Sequence, residues 1–345
     1  MNYWSPYLNI LNPGKRSNKF IPDLHSLKEM SIYGLIKWGE SRLQEKDILN
    51  PFRESALLMG YSLGVTFEKV MLSYGDNPPR GKISLFKNLI ERRRSGEPFA
   101  YLTNKKEFYS IDFFVNKSVL IPRPDTECIV DEAIKEADLL GKILKRKVYV
   151  IDVGTGSGAI AIAIAKNTGG NVIVYAADSS SKSLAVAGKN INLNGVREKV
   201  IPAYYDVFKS NMLWRNAKGG LFGNSLSCFD IIISNPPYVK TGDIELLDDD
   251  VRLYEPLKAL DGGDSGLKFY ERIIDLALPP GMPGKNERPA GDFEKALIFE
   301  IDFREKEKIF NLLVKKFGKF NIISFINDLD KRERGVKIKY GQDSN

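Results

Sequence analysis

The sequence is poor in the side chains that most often carry catalysis or bind metals. Its 345 residues include one histidine and two cysteines. The histidine, His25, lies in the N-terminal tail. The sequence therefore argues against histidine-dependent catalytic triads, histidine metal clusters and histidine general bases. Cys128 and Cys228 form no CxxC pair, and we therefore expect no metal site, no disulfide and a structural role for both cysteines. These shortages favour chemistry that depends on positioning and on backbone acceptors.

Long hydrophobic runs are also missing. The longest unbroken apolar stretch near a motif is Ala159–Ala165, whereas a membrane span requires roughly 20 residues. The chain opens without the hydrophobic region of a signal peptide, so we expect a cytoplasmic protein that does not bind membranes. Residues 1–22 contain no acid but carry Lys15, Arg16 and Lys19, which leaves the mitochondrial matrix as an alternative location. We interpret residues 1–25 as a flexible basic tail.

The net charge of +7 is concentrated at the front of the chain. Residues 1–100 hold 15 lysines and arginines against 10 acids, which leaves +2 for the remainder. Such a bias favours an anionic partner, for example RNA or a ribosome-associated protein. A run such as Arg92–Arg94, however, is more often a solvated helix face.

The hydrophobic pattern divides the chain into segments of different type. With 43% hydrophobic side chains the protein can bury a sizeable core, and its length suggests two domains. Apolar residues recur at helical spacing from Leu24 to Ser95, with breaks at Asn50-Pro51 and at 75–79, and predict a small helical domain. A β-type pattern over 108–121 with a turn at 116–118 predicts a hairpin. The predicted boundaries are 1–25 for the tail, 26–100 for the helical domain, 101–122 for a β-hairpin linker and 123–345 for an α/β domain.

Strands and helices alternate after Thr126, which we expect to cap the helix that follows it. This alternation predicts an α/β fold with a mostly parallel sheet covered on both faces. The last two strands are too close in sequence for a crossover helix and should form an antiparallel hairpin. The predicted strands are 147–152, 172–178, 199–205, 229–234, 295–302, 320–327 and 335–340. The predicted helices are 158–167, 180–194, 265–278 and 304–317, with a surface loop at 279–292.

A glycine-rich turn, here called the glycine loop, follows the first of these strands. Val148–Gly158 reads VYVIDVGTGSG, a buried strand that runs into Asp152, Gly154, Gly156 and Gly158. Glycine lets the backbone turn tightly and approach a ligand at the carboxyl edge of the sheet, where open α/β sheets bind their ligands. The spacing G-x-G-x-G differs from the G-x-G-x-x-G of dinucleotide folds, so a nucleoside with an amino-acid tail fits better than a pyrophosphate. Taken alone, however, such glycines can simply make a tight turn.

Acids follow the next two strands. Asp178 ends the second strand, 20 residues beyond Gly158, where a carboxylate can accept both ribose hydroxyls and reject a 2'-phosphate. Asp206, after the third strand, can receive an adenine amino group, although an acid that caps a loop is a serious alternative there. Together with the glycine loop, Asp178 predicts a nucleoside cofactor.

The fourth strand runs straight into Asn235-Pro236-Pro237-Tyr238, here called the NPPY loop. In the usual sheet order this loop lies close to the glycine loop. The Asn235 side-chain oxygen and the Pro236 carbonyl can each accept one N–H of an amide or aromatic amine, and so align its nitrogen for in-line methyl transfer from a sulfonium. The prolines stiffen the loop, and Tyr238 offers a flat face for a planar group. The alternative is a proline-rich turn that only closes a strand.

Further motifs extend over most of the chain. They are Gly96-Glu97-Pro98 with Tyr101-Leu102, Glu107-Phe108-Tyr109, IPRPDTE at 121–127, DVGTGSG at 152–158, SNPPYV at 234–239, Glu255-Pro256 with Ala259-Leu260, and Asp328 with Arg334. In this combination the sequence resembles the HemK/PrmC family over about residues 26–340. Members of that family are protein glutamine methyltransferases that act on the GGQ motif of class I peptide chain release factors.

The resemblance implies a class I S-adenosylmethionine-dependent methyltransferase domain, Rossmann-like, at 123–345. Its mostly parallel seven-stranded sheet should have an antiparallel last strand, and the helical domain should grip the release factor. The residues implied to hold S-adenosylmethionine are Asp152, Gly154, Thr155, Gly156, Ser157, Gly158, Asp178, Asp206, Val207 and Asn235. Asn235, Pro236, Pro237 and Tyr238 are implied to hold the glutamine, with Asn235, Pro236 and Tyr238 as the catalytic residues. We expect a monomer.

The chain departs from the family pattern after the fifth strand. The family often has glutamic acid, a hydrophobic residue, glycine and a following glutamine there, whereas this chain reads Glu300-Ile301-Asp302-Phe303-Arg304-Glu305. The segments 209–228 and 279–292 are also longer than usual. We expect these changes to affect substrate docking and to leave the catalytic loops intact.

Two other functions fit parts of the pattern. The NPPY loop also resembles the acceptor loop of DNA adenine and RNA guanine methyltransferases. Residues 243–264, here called the acidic rim, hold eight acids against Arg252 and Lys258, and such a rim repels a phosphate backbone but not a basic peptide. If these acids only solvate a surface helix, they carry no information on the substrate. A binding module without chemistry would be favoured by loss of Asn235 or of the glycines, and neither is lost. We therefore expect a release factor and no nucleic acid as the substrate.

Overall fold

The structure, a computed structural model, describes residues 29–46, 48–169, 171–209, 214–215, 221–222, 225–278, 295–318 and 322–340. The basic tail with His25, most of the segment 209–228 and the surface loop predicted at 279–292 lie outside the described residues. The chain divides into two compact units, with the boundary between Arg94 and Ser95. The helices of the described ranges include none with the length and apolarity needed to cross a membrane.

The first unit consists of helices in its described part. They are α1 Ile32–Leu43, α2 Pro51–Leu63, α3 Phe67–Leu72 and α4 Arg80–Arg94. Ser31 caps α1 by accepting from the Gly34 N–H, and Asn50 caps α2 by accepting from the Arg53 N–H. Apolar side chains from α1, α2 and α4 form its core, since Leu35, Leu58 and Phe86 are fully buried. The predicted breaks at Asn50-Pro51 and at 75–79 are confirmed.

The arginine run at the end of α4 is paired with acids of the same unit. Arg93 Nε lies 2.7 Å from Glu54 Oε2, and Arg94 Nε lies 2.8 Å from Glu45 Oε2. The Arg94–Glu45 pair is exposed, and such pairs contribute only about 0–1 kcal/mol to stability, whereas the Arg93–Glu54 pair is half-buried. Their consequence is electrostatic, because carboxylates neutralise the charges of Arg93 and Arg94.

The second unit begins with α5 Phe99–Thr103 and an antiparallel hairpin of β1 Lys105–Phe108 and β2 Ile111–Phe114. The hairpin is present, but the turn that closes it does not lie at the predicted 116–118. The chain reverses at Tyr109 and Ser110, which both have positive φ, 53° and 55°. Tyrosine and serine rarely adopt the left-handed conformation that tight hairpins require, so the sequence does not predict a turn at these two residues. Asn116 makes a separate turn, in which its side chain accepts from the Ser118 N–H.

A seven-stranded sheet forms the centre of the second unit. Its strands are β3 Val148–Val153, β4 Val172–Asp178, β5 Val200–Tyr204, β8 Ile231–Ser234, β9 Lys295–Glu300, β10 Ile322–Asn327 and β11 Glu333–Tyr340. The order across the sheet is β10-β11-β9-β8-β3-β4-β5, and β11 runs antiparallel to both of its neighbours. The predicted mostly parallel sheet with an antiparallel last strand is thus confirmed. The two-residue strands β6 Trp214–Arg215 and β7 Leu221–Phe222 pair with each other outside this sheet.

Helices cover both faces of the sheet. They are α6 Glu127–Leu144, α7 Ala159–Asn167, α8 Ser181–Leu193, α10 Lys268–Ala277 and α11 Lys306–Phe317, whereas the short helix α9 Asp249–Tyr254 has no buried residue. Alternate strand residues point to opposite faces, so Val150 belongs to a core with α6, α7 and α8, and Ile151 to a second core with α10 and α11. Burial on both faces explains why the central strands read as nearly continuous apolar runs.

The order of the strands determines where loops meet. The chain leaves β3 towards β4 and β5 and then returns to β8 on the other side of β3. The β3–β8 boundary is therefore a topological switch point, the place where open α/β sheets bind ligands at the carboxyl ends of their strands. The glycine loop follows β3 and the NPPY loop follows β8, so both lie at this point.

Gly335 in β11 lies where no side chain fits. A Cβ at this position would lie 2.6 Å from Ile129 Cγ2 and 3.1 Å from Ile326 Cβ. We predict that Gly335→Ala lowers the free energy of unfolding by about 1–3 kcal/mol because of overpacking. The matched control is Gly188→Ala in α8, where a Cβ meets nothing within 4 Å and alanine should stabilise the helix by roughly 0.5–1 kcal/mol. Urea unfolding of both variants checks this, and equal effects would contradict the packing described for β11.

Candidate active site

The glycine loop has the backbone conformation that its sequence predicts. Gly154, Gly156 and Gly158 have positive φ angles of 79°, 55° and 82°, which residues other than glycine rarely adopt. A Cβ at Gly154 would meet nothing within 4 Å, whereas a Cβ at Gly158 would contact Ala187 Cβ at 3.3 Å. The third glycine therefore lets α7 pack against α8, and the first glycine borders open space. A tight turn and room for a ligand are both present.

The remaining side chains of the loop are buried beneath it. Thr155 donates to Asp152 Oδ2 at 2.5 Å, and Asp152 Oδ1 is buried with no hydrogen-bond partner among the described residues. Burial raises the pKa of Asp152 to about 7. The Ser157 carbonyl accepts from Asn190 Nδ2, whose side chain also bonds to the backbone of Phe114 in β2. Asn190 thus ties the hairpin to the glycine loop.

Asp178 is fixed at the end of β4 by backbone donors. Its Oδ2 accepts from the Gly156 N–H at 2.9 Å, and its Oδ1 accepts from the Ser180 N–H at 2.8 Å. Burial raises the pKa of this carboxyl, and the backbone N–H donors oppose that rise. Each carboxylate oxygen has a further lone pair, so the group can still accept hydroxyls.

Asp206 behaves as the acid that caps a loop. Its Oδ1 accepts from the Phe208 N–H at 3.0 Å. This is the loop-capping role that the sequence offers as the alternative to an adenine contact. The preceding residue, Tyr205, donates its N–H to the Asp178 carbonyl at 3.0 Å, so the start of this loop lies beside the end of β4. Val207 is buried, and its carbonyl accepts from Arg272.

The NPPY loop is held from both sides. At its start, Ser234 Oγ donates to the Val153 carbonyl at 2.6 Å, which joins it to the strand that precedes the glycine loop. Behind it, a Cβ at Gly262 would lie 2.8 Å from both the Pro237 carbonyl oxygen and Tyr238 Cα. The backbone of 262–266 therefore packs against the loop more closely than a side chain would allow.

A buried polar network connects the side chains of the NPPY loop. Asn235 Nδ2 donates to Thr126 Oγ1 at 3.3 Å, and Thr126 donates in turn to Glu300 Oε2 at 2.5 Å. The Tyr238 hydroxyl donates to Glu300 Oε1 at 3.4 Å. Thr126 occupies the predicted N-cap position of α6, but its side chain makes no capping hydrogen bond, because its hydroxyl donates to Glu300. Long-range bonds of this kind leave no periodic signal in a sequence.

Burial strongly affects the ionisation of this network. Glu300 is 3% exposed, and burial raises its pKa to about 7, while the hydrogen bond from Thr126 opposes the rise. Burial and the nearby Glu300 carboxyl also raise the pKa of Tyr238. The sequence predicts only a helix cap for Thr126, and it predicts no role in the site for Thr126 or for Glu300. The signals that could have found them were the IPRPDTE motif and the position of Glu300 at the end of a strand beside β8.

A cavity of about 550 Å³ opens beside the NPPY loop. Of the predicted residues, Asn235, Pro236 and Tyr238 line it, whereas Pro237 and the glycine loop do not. Its other lining residues are Leu120, Arg123, Val239, Lys240, Asp243, Leu246, Leu247, Val251, Ala259, Leu260, Glu300, Asp302, Arg304, Glu305 and Arg334.

Asp302 and Glu305, which depart from the family pattern, lie in this lining and form ion pairs. Asp302 pairs with Arg304 at 2.5 Å, and its carboxylate also accepts from the Arg304 N–H. Glu305 pairs with Lys240 at 2.8 Å, two residues beyond the NPPY loop. The departures thus place charge at the mouth of the cavity and leave Asn235 and Tyr238 in contact with their network.

Comparison with known proteins agrees with this arrangement. Residues 34–103 match the family model of the PrmC N-terminal domain, and residues 137–235 match that of the ribosomal protein L11 methyltransferase (PrmA). The release factor glutamine methyltransferase of Geobacter sulfurreducens is 34% identical over 257 residues, which cover 74% of this chain and 81% of that protein. The enzymes of the same name from Chlorobaculum tepidum and Bacillus subtilis are 31% and 30% identical, and each match covers 96% of the relative and 88% or 89% of this chain. The chain therefore belongs to the HemK/PrmC family of release factor glutamine methyltransferases.

Proposed function

We propose that this protein transfers a methyl group from S-adenosylmethionine to the side-chain amide nitrogen of the glutamine in the GGQ motif of class I release factors. The observation that carries the proposal is the NPPY loop, which a hydrogen bond to Val153 holds beside the glycine loop. The Asn235 side chain of that loop lines a cavity large enough for a glutamine side chain and its flanking residues. Family membership supports the same reaction.

The residues around the glycine loop fit S-adenosylmethionine. The open space at Gly154 admits a ligand close to the backbone, and the fixed Asp178 carboxylate can accept the two ribose hydroxyls. Asp206 and Val207 lie in the loop next to the end of β4, and we assign the adenine to this loop. Asp152, with one unpartnered oxygen, places negative potential beneath the loop once ionised. When bound, S-adenosylmethionine supplies an electrophilic methyl group on a sulfonium.

The NPPY loop acts on the other reactant. The Asn235 oxygen and the Pro236 carbonyl accept the two N–H groups of the glutamine amide and direct its nitrogen towards the methyl carbon. One N–C bond forms as one S–C bond breaks, the bonding pair stays on sulfur, and one amide proton leaves to solvent. The ring of Tyr238 provides a flat surface for the planar amide, and Pro236 and Pro237 keep the loop rigid.

The charge around the cavity favours a protein substrate over a nucleic acid. The basic lining residues each pair with an acid, in the pairs Arg123–Glu255, Lys240–Glu305, Arg304–Asp302 and Arg334–Asp125. A phosphate backbone would have to compete with these carboxylates. The acidic rim adds exposed Asp243 and Asp248, together with the exposed apolar side chains of Leu246 and Leu253. A basic segment with apolar residues complements such a surface.

The remaining aspects of the function follow from this substrate. We propose that the helical unit recognises the release factor outside the GGQ loop and that the enzyme acts as a monomer without nucleic acid as a substrate. We also propose the cytoplasm as its location, with the mitochondrial matrix as the alternative.

We predict that a class I release factor incubated with the enzyme and methyl-labelled S-adenosylmethionine takes up label at the GGQ glutamine. Asn235→Ala should abolish uptake and leave the folded state intact, because it removes an acceptor that aligns the nitrogen. Transfer is measured by scintillation counting and folding by circular dichroism. The same release factor with its glutamine replaced by alanine is the control. Label in DNA or ribosomal RNA in place of the release factor would overturn the proposal.

The assignment of Asp178 predicts a binding defect. Replacing its carboxylate weakens hydrogen bonds to a charged acceptor, each worth about 1.5–3 kcal/mol, so Asp178→Asn should raise the Kd for S-adenosylmethionine about 10- to 100-fold. Calorimetric titration measures this. Asp264→Asn, which changes an exposed acid of the rim, is the matched control and should bind normally. An unchanged Kd for Asp178→Asn would remove Asp178 from the cofactor site.

The close packing behind the NPPY loop predicts a catalytic defect without a cofactor-binding defect. In Gly262→Ala the new Cβ must displace Pro237 and Tyr238, and a shift of about 1 Å in a positioning group can lower the rate about 100-fold. We expect kcat to fall and the Kd for S-adenosylmethionine to stay unchanged. Gly242→Ala, where a Cβ meets nothing within 4 Å, should leave both values unchanged. A normal kcat for Gly262→Ala would show that the position of the loop does not limit the reaction.

A further inference from the structure

A buried carboxylate behind the NPPY loop has no part in the steps described above. Glu300 accepts hydrogen bonds on both of its carboxylate oxygens, from Thr126 on Oε2 and from Tyr238 on Oε1. A third side chain, Asn235, joins through Thr126. A buried charge is costly unless hydrogen bonds compensate it, and here the compensating donors come from the two segments that frame the site.

The number of protons in this network determines the direction of each bond. The Thr126 hydroxyl has a single proton, and Glu300 Oε2 takes it at 2.5 Å. Towards Asn235, 3.3 Å away, Thr126 Oγ1 can then act only as an acceptor. The NH2 group of Asn235 must therefore face Thr126, and its oxygen is the atom left for a ligand in the cavity.

We propose that Thr126 and Glu300 are positioning residues that hold the Asn235 amide in the orientation that presents its oxygen to the methyl acceptor. The proposal rests on the function proposed above and deepens it. With the amide inverted, the Asn235 NH2 would face the N–H of the substrate glutamine, and two donors would oppose each other. The network selects between two orientations that have nearly the same shape.

Protonation of Glu300 removes this selection. A proton on Oε2 can be donated to Thr126, whose own proton then becomes available to the Asn235 oxygen, so the inverted amide is stabilised. Burial raises the pKa of Glu300 to about 7, so the protonated form accumulates as the pH falls through about 7. The titratable and charged groups that face Glu300 from the surrounding segments are Asp125, Cys128, Tyr238, Tyr270 and Arg334.

Replacing Thr126 tests the hydroxyl. Thr126→Val keeps the shape but removes the acceptor for Asn235, so we expect kcat to fall about 10- to 100-fold with the Kd for S-adenosylmethionine unchanged. Thr126→Ser keeps the hydroxyl and should retain most of kcat. Thr168→Val is the matched control, because Thr168 is a buried threonine whose hydroxyl bonds to the Ile164 carbonyl. Wild-type kcat in Thr126→Val, or equal losses in Thr126→Val and Thr168→Val, would overturn the proposal.

Replacing Glu300 tests the charge. Glu300→Gln imitates the protonated carboxyl, because its NH2 group can donate to Thr126. In the wild type we expect kcat to fall as the pH is lowered through about 7, since protonated Glu300 no longer favours the orientation in which the Asn235 oxygen faces the substrate. Glu300→Gln should show a low kcat without this dependence. A variant that keeps both the wild-type rate and the wild-type pH profile would contradict the assigned role.

A measurement without cofactor or substrate separates this proposal from the proposed function. The side-chain NH2 resonances of Asn235, identified by their loss in Asn235→Asp, should shift with pH around a midpoint near 7 in the wild type and not in Glu300→Gln. They should also change in Thr126→Val. Resonances that do not respond to either variant would overturn the positioning role even if methyl transfer occurs. Absence of transfer in the wild type would overturn the proposed function and leave this test in place.

Discussion

The parallel pairing of β3 with β8 is the constraint on which the rest of the site depends. It brings Asp152 opposite Ile233 in register, so the two loops that follow these strands begin at the same edge of the sheet. In sequence, β4 and β5 come between β3 and β8 and run parallel to them. Asp178 and Asp206, which follow β4 and β5, therefore lie at the same edge of the sheet. Apolar burial on both faces makes this register costly to change, because a slip by one residue would move each strand side chain into the opposite core, which is packed around other side chains.

Features that repeat along the chain could be predicted from the sequence. The apolar runs gave the central strands and the glycines gave the turn after β3, because each is dictated by local conformation or by burial. The positions of Asp178 and of the NPPY loop also followed, since the carboxyl ends of parallel strands meet at one edge. The binding roles of these residues remain predictions, although the structure places them where such roles require.

Features that depend on contacts between distant segments could not be predicted. Thr126 and Glu300 are 174 residues apart, and their hydrogen bond depends on the lateral order of the strands. The local sequence therefore predicts a capping hydroxyl at Thr126, which is a common use of threonine before a helix, and gives no sign of the bond to Glu300. The hairpin turn at Tyr109 and Ser110 was missed for a different reason, because these residues adopt a left-handed conformation that they rarely favour.

The central claim is that the NPPY loop receives a glutamine nitrogen with the oxygen of Asn235 towards it. A crystal structure with S-adenosylhomocysteine and a peptide containing the GGQ motif tests this most directly. The account predicts that the glutamine nitrogen lies about 2.7–3.2 Å from both Asn235 Oδ1 and the Pro236 carbonyl oxygen, with Asn235 Nδ2 on Thr126. A glutamine bound away from Asn235, or one whose carbonyl meets the Asn235 NH2, would contradict it.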